Sequence, residues 1–174
     1  MSLEPTTAIA GPAGPDADDR VRVRRAVTSD REALTRMFDR CTGRTRYDRF
    51  HGYVNAIPDR YLTEALSGIP YHYALVGTSG DDIGALASCR VIAEGAAELG
   101  ILVEDRWQRR GIGGYLLREL VGHADRGGMR VLKAQILTEQ AWLIILLQRY
   151  GTCLRARGAY GTLDITLRLG RASS

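Results

Sequence analysis

The sequence predicts an α+β fold, a mixed and mostly antiparallel sheet flanked by helices, in a single domain. Three observations lead there. A chain of 174 residues, 45% apolar and 25% charged, suits one hydrophobic core. In its middle, three extended runs follow one another through short turns, as antiparallel neighbours do. Before and after them, helical patterns interrupt the strands, giving the order β, α, α, β, β, β, α, β, α, β, β, in which neither an all-parallel nor an all-antiparallel sheet is expected.

The elements follow in order. Residues 1–19 are rich in Pro, Gly, Ala and Asp without a hydrophobic period, so they are expected to be a disordered tail, leaving residues 20–174 as the domain. Residues 21–27 alternate Val and Arg, the pattern of a half-buried strand. Thr28 or Ser29 can cap a helix with Leu34, Met37, Phe38 and Cys41 at helical spacing, and a second helix is expected between Pro58 and Gly68 with Tyr61, Leu62, Ala65 and Leu66 on one face. Residues 71–78 and 83–93 are strands joined by the turn formers of 78–82; Gly95 and Ala96 turn the chain again into strand 97–103. Residues 113–125 place Tyr115, Leu116, Leu117, Leu120 and Val121 on a helix face stopped by Gly127 and Gly128. Strand 129–137, helix 139–150 with Trp142, Ile145 and Leu146 as core, and strands 152–160 and 162–169 complete the domain.

Composition excludes several classes. Cys41, Cys89 and Cys153 are odd in number and far apart, which suits neither a disulfide framework nor a Cys-x-x-Cys pair and fits a reducing cytoplasm. The longest apolar run, residues 141–147, is far below the roughly 20 residues of a membrane span. The N-terminus lacks the basic and apolar parts of a secretory signal, so a cytoplasmic protein is expected. His51, His72 and His123 show no metal spacing, and no metal is expected. The four acids of residues 1–19, with no base among them, leave +8 on the remainder against +4 for the whole chain. Twenty-three of the 24 basic residues are arginine, with Lys133 the exception, a bias that reads more readily as codon composition than as a site. A nucleic-acid module would rest on that charge alone, without a helix-turn-helix or aromatic platform, and is the least favoured class.

Chemistry concentrates in residues 97–116, a strand, a basic turn and a helix start. The first amides of a helix have no intrahelical partner and the macrodipole adds positive potential there, so phosphate oxygens bind. Gly111, Gly113 and Gly114 leave room for a phosphate to approach, and Arg109 and Arg110 add charge. A dinucleotide fingerprint starting at Gly111 would need glycine at Leu116, and a nucleotide-triphosphate loop would need a glycine before Lys133, where Leu132 stands.

What does match is Gln108-Arg109-Arg110-Gly111-Ile112-Gly113, which resembles the Gln/Arg-x-x-Gly-x-Gly/Ala pyrophosphate loop of the GNAT family of acetyl-CoA-dependent N-acetyltransferases. The element order over residues 20–170 is also that of the family, and residues 46–50 are similar to acetyltransferase domains of bacterial protein lysine acetyltransferases. The resemblance implies acetyl-CoA as cosubstrate, with Leu102 and Val103 offering backbone groups to the pantetheine arm and residues 108–114 holding the pyrophosphate. It also implies Glu98 as general base, although a solvated strand glutamate reads equally well; Glu104 and Asp105 read as solvated turn residues. The family's thiolate-protonating tyrosine falls at Leu147, so Tyr150, one turn beyond, is the substitute candidate, with buried packing as its plainer reading. The family's asparagine falls at Gln140, another amide able to bond the arm. The family builds its acceptor pocket from the early helices and the strand after them, where Tyr47, Phe50, His51, Tyr53, Tyr71 and Tyr73 cluster; Arg44, Arg46 and Arg49 would suit an acidic acceptor if they face the cleft.

The reading is therefore an N-acyltransferase that moves an acetyl or similar acyl group to a primary amine by direct attack, the amine being a protein lysine or a small molecule. A noncatalytic acyl-CoA sensor is the rival. A homodimer is left open.

Overall fold

The computed structural model describes residues 7–8, 21–159 and 161–170. Its strands are β1 (Thr7–Ala8), β2 (Arg22–Arg25), β3 (His72–Ser79), β4 (Asp82–Ala93), β5 (Ala96–Val103), β6 (Val131–Leu137), β7 (Gly151–Ala159) and β8 (Thr162–Leu169). The helices are α1 (Arg31–Arg40), α2 (Gly43–Phe50), α3 (Asp59–Leu66), α4 (Ile112–Arg126) and α5 (Trp142–Leu147). The strands form one sheet in the order β1-β2-β3-β4-β5-β6-β8-β7. Every neighbouring pair is antiparallel except β5 and β6, which α4 joins as a crossover. The expected α+β class and mixed sheet are observed.

Helices cover both faces of the centre of the sheet, so β3 and β4 are buried on both sides and lose the alternation of a half-exposed strand. Leu75, Ala85, Ala87 and Cys89 pack with Leu116, Leu117, Leu120 and Val121 of α4, while Ala74, Val76 and Leu86 pack with Leu34, Met37 and Phe38 of α1 and Leu62, Ala65 and Leu66 of α3. Burying each of these large side chains is worth about 1.5–3 kcal/mol.

The turn into α1 differs from the expected Thr28 or Ser29 cap. The buried Asp30 carboxylate accepts the Val27 N–H at 2.9 Å and both Arg24 terminal nitrogens at 2.8 and 2.7 Å, while the Thr28 hydroxyl donates to the Leu66 carbonyl at 3.2 Å. Burial alone would raise the pKa of Asp30, but those donors outweigh it and the net shift is downward.

Four further departures matter. Residues 43–50 form α2, for which no helix was expected: Gly43 and the charged Arg44, Arg46, Asp48 and Arg49 obscure its apolar period. The last helix is only Trp142–Leu147, preceded by a 3₁₀ turn at Thr138–Gln140. Trp142 and Ile145, expected in the core, are 62% and 68% exposed, because so short a helix buries only one edge. Of the expected tail, Thr7 and Ala8 instead pair antiparallel with Val23 and Arg22; the rest of residues 1–19 lies outside the described residues, as does Tyr160.

Candidate active site

β5 and β6 are paired only over Ala96–Val131, Ala97–Leu132 and Glu98–Lys133, although β5 continues to Val103 and β6 to Leu137. Past Glu98 the two strands diverge. The gap is a cavity of about 610 Å³, walled by residues 99–103 of β5 and 134–136 of β6. β4 holds one edge of β5 along its length, so the edge facing β6 keeps unused backbone groups for a partner chain to bond.

At its wide end the cleft meets the start of α4, where Gln108, Arg109, Gly111, Ile112, Gly113 and Gly114 line it. Arg109 and Gly111 take left-handed backbone conformations, with φ of 58° and 79°, turning the chain so that the first amides of α4 begin at the cleft. Among the described residues no side chain caps those amides. A Cβ on Gly111 or Gly114 would meet nothing within 4 Å, so the space in front of the helix is open. Orphan donors, an aligned dipole and a 15-residue helix behind them make a cradle that fits a pyrophosphate. Of the expected loop residues, Ile112 is buried and contributes through its backbone, and Arg110 does not line the cleft.

The other wall is α2. Thr42 caps it, its hydroxyl oxygen accepting from the Thr45 N–H at 3.2 Å. Asp105, on the turn before the glycine-rich loop, accepts the Thr42 N–H at 2.9 Å and the hydroxyls of Thr42 and Thr45, each at 2.8 Å. Desolvation acts to raise the Asp105 pKa, yet these donors bring it below the ordinary carboxylate value. Gln108 donates its amide to Thr45 Oγ1 at 3.1 Å and to the Val103 carbonyl at 2.9 Å, tying α2, β5 and the loop together. Below, the buried Glu104 carboxylate bonds Arg40 at 2.8 Å and Arg106 at 2.6 Å, and Asp82 contacts both arginines. Glu104 and Asp105, expected to be solvated, are thus the fasteners of the turn that leads into the glycine-rich loop.

Not every expected site residue lines the cleft. Val103 and Leu102 do, the latter by its backbone, since its side chain is buried against α1 and α3. Gln140 lines it too, with its amide donating to Asp48 Oδ2 at 2.9 Å. Glu98, like Tyr150, does not line the cleft; it stands just before the lining begins, where β5 and β6 part, half exposed and ion-paired with Arg90 at 2.8 Å. Tyr150 lies outside the cleft lining, half-buried against the core next to β7, whereas Leu147 contributes to the lining.

The aromatic cluster expected around the acceptor is divided. Phe50 packs with Phe38 and Tyr61, Tyr47 leans on the exposed Tyr53, Tyr71 is 55% exposed, and Tyr73 lies on the opposite sheet face stacked on His123 with ring centroids 3.5 Å apart. Arg44 pairs with Asp48 and Glu139, and Arg46 donates to the Cys41 and Asp39 carbonyls; of these three arginines only Arg49 lines the cleft. Thr45 and Asp48 are cleft residues that sequence reasoning missed. The signal was the spacing of Thr42 and Thr45, a capping threonine three residues before its partner, which marks a helix start. Among the described residues no cluster suits a metal ion, and no helix is long and apolar enough to cross a membrane.

Comparison with known proteins agrees with this geometry. The model of the acetyltransferase (GNAT) family matches residues 31–151. The chain is 32% identical over 113 residues to acetyltransferase Pat of Mycolicibacterium smegmatis, a match covering 62% of this chain and 33% of Pat, so the chain aligns with about a third of that relative's length. Its fold resembles the GNAT domain of S. lividans PAT, with a TM-score of 0.77 at 20% identity over 94% of this chain and 97% of that one. It also resembles yncA of Salmonella typhimurium, whose structure contains its cofactor acetyl-CoA, with a TM-score of 0.68 at 20% identity over 88% and 96% of the two chains. A strand pair that opens onto the bare amides of a glycine-rich helix start, together with a family match over most of the domain, identifies this chain as a member of the GNAT family of acetyltransferases.

Proposed function

We propose that this domain transfers the acetyl group of acetyl-CoA to a primary amine by direct attack. The observation that carries the reading is the continuity of two sets of unused backbone groups, the open edge of β5 and the first amides of α4, along one cleft. The pyrophosphate is assigned to residues 108–114, with Arg109 and Arg110 adding positive potential, and the pantetheine arm to the β5 edge at Leu102 and Val103. Gln140, already bonded to Asp48, is assigned to the arm's far side.

Acyl transfer needs an unprotonated nitrogen. We assign to Glu98 the acceptance of the ammonium proton, directly or through one water, because it stands where the strands part. The nitrogen then forms its bond to the thioester carbonyl carbon, the carbon–sulfur bond breaks, and the CoA thiolate leaves with the electron pair, while the second proton that the nitrogen sheds as the amide forms passes to water or to the departing thiolate. A thiol ionises far more readily than an alcohol, so departure without a dedicated acid is chemically reasonable. The position of Tyr150 outside the cleft supports that route over a tyrosine donor. The similarity of residues 46–50 to protein lysine acetyltransferases favours a protein lysine as acceptor, and the three free cysteines favour a reducing, cytoplasmic setting.

The test is release of free CoA thiol from a series of acyl-CoAs against small amines and lysine-containing proteins. Amine-dependent release is expected. Tight CoA binding without turnover for any amine would favour the sensor, a reading that draws on the leucine at 147 in place of an acid.

A further inference from the structure

Three residues of α2 line the cleft, and two of them already have polar side-chain partners. Thr45 donates to Asp105 and accepts from Gln108, and Asp48 accepts from Gln140 while standing 2.7 Å from Arg44 Nε. The third, Arg49, is different. No carboxylate or carbonyl pairs with its guanidinium among the described residues, whereas Arg40, Arg44, Arg46, Arg90 and Arg106 around it all have oxygen partners. Arg49 is half-buried, its guanidinium 4.9 Å from the Phe50 ring centroid and 5.1 Å from that of Tyr61. It lies on Gly100 of β5, where a Cβ would run into the guanidinium. Two rings and a bare stretch of strand therefore hold a cation in the cleft wall two residues beyond Glu98, where β5 and β6 separate.

The guanidinium is only partly withdrawn from water, so its five donors stay accessible in the cleft and a ligand there can complete them. The planar guanidinium fork matches a carboxylate with two parallel hydrogen bonds, and aromatic faces beside it leave the donor edge free. Arg49 also lies on Gly100, close to where the β5–β6 pairing ends and several residues before the loop into α4, so its ligand is expected to belong to the reacting end of the bound molecules.

We propose that Arg49 receives a carboxylate presented by the reacting substrates, either on the acceptor close to its amine or at the end of a dicarboxylic acyl chain. This rests on the acyl-transfer reading for its place in the reaction. In either case Arg49 is a specificity-determining residue that selects an anionic group beside the site of amide formation.

The experiment compares matched pairs in wild type and Arg49→Gln. In the acyl arm, succinyl-CoA is set against acetyl-CoA with one neutral amine. In the acceptor arm, acetyl-CoA is used with lysine tripeptides carrying aspartate or alanine next to the lysine, and with amino acids against their carboxamides. Wild type is expected to favour the carboxylate member of at least one arm by about tenfold or more in kcat/KM, and Arg49→Gln to erase that ratio. Arg49→Lys, which keeps the charge but not the fork, should retain part of it. Calorimetric affinities for the same CoA pair, and for the peptides and amino acids with CoA-bound protein, read the preference without turnover, so an absence of thiol release refutes acyl transfer and leaves carboxylate recognition measurable. Ratios near one in both arms of wild type, or an Arg49→Gln loss equal for both members of every pair as a CoA-phosphate contact or a purely structural role would give, overturn the proposal.

Discussion

Replacing Asp105 with asparagine tests whether the turn before the glycine-rich loop is fastened to α2 by charge. Asp105 accepts three hydrogen bonds, the Thr42 N–H at 2.9 Å and two threonine hydroxyls at 2.8 Å. Asparagine keeps one acceptor oxygen for the hydroxyls but sets its NH₂ against the Thr42 N–H, donor against donor. A hydrogen bond to a charged acceptor is worth about 1.5–3 kcal/mol, so with Asp105 half-buried a loss of about 2 kcal/mol is expected. In a domain of this size that lowers Tm by roughly 4–8 °C. Because Thr45 and Gln108 belong to the same network and line the cleft, CoA affinity should fall too, on the order of threefold. The pH dependence has a definite sign. The folded-state pKa of Asp105 is depressed, so its stabilisation is fully present above the unfolded value of about 3.9 and disappears as pH falls through the lower folded value. Chemical denaturation of the wild type and the Asp105→Asn variant from pH 7 down to pH 3 measures both effects. Equal stability at pH 7, or a difference that has already vanished at pH 5, would refute the reasoning.

Gly111→Ala forces a Cβ onto a φ of 79°, which costs about 1–2 kcal/mol, but meets no atom within 4 Å; it should weaken CoA binding about tenfold, and raised salt should weaken wild-type binding to CoA far more than to pantetheine. Glu98→Gln should leave calorimetric CoA affinity nearly unchanged and lower turnover roughly 100-fold at pH 7, with a smaller loss near the pKa of the amine; an unaltered rate at pH 7 removes Glu98 from the mechanism. Tyr150→Phe should cost less than about tenfold in turnover, and a drop of 100-fold with unchanged CoA binding and Tm would make Tyr150 the acid after all. Burial pushes the thiols of Cys41 and Cys89 up to about 11, so in peptide mapping after iodoacetamide at pH 8 the native protein should be labelled first at Cys153, the other two reacting only on unfolding.

The sequence by itself determined the elements with a strong local period and the one motif made of backbone. Leu116, Leu117, Leu120 and Val121 recur at helical spacing, and all four are buried in α4. The glycine-rich turn into α4 was legible because glycines at a helix start act through backbone freedom and free amides, which do not depend on distant partners. The tertiary structure alone decided what lies opposite that loop. α2 carries so few apolar residues that its pattern is silent; it is held by Thr42, its cap, and by Asp105, which lies 63 residues away in the chain. The same holds for Glu104, buried by Arg40 from α1, and for Arg49, whose place depends on Gly100 of a strand some fifty residues on. Spacing reports which side chains share a face; only packing decides which ionic groups are paired across the fold and which arginine of α2 is left facing the cleft.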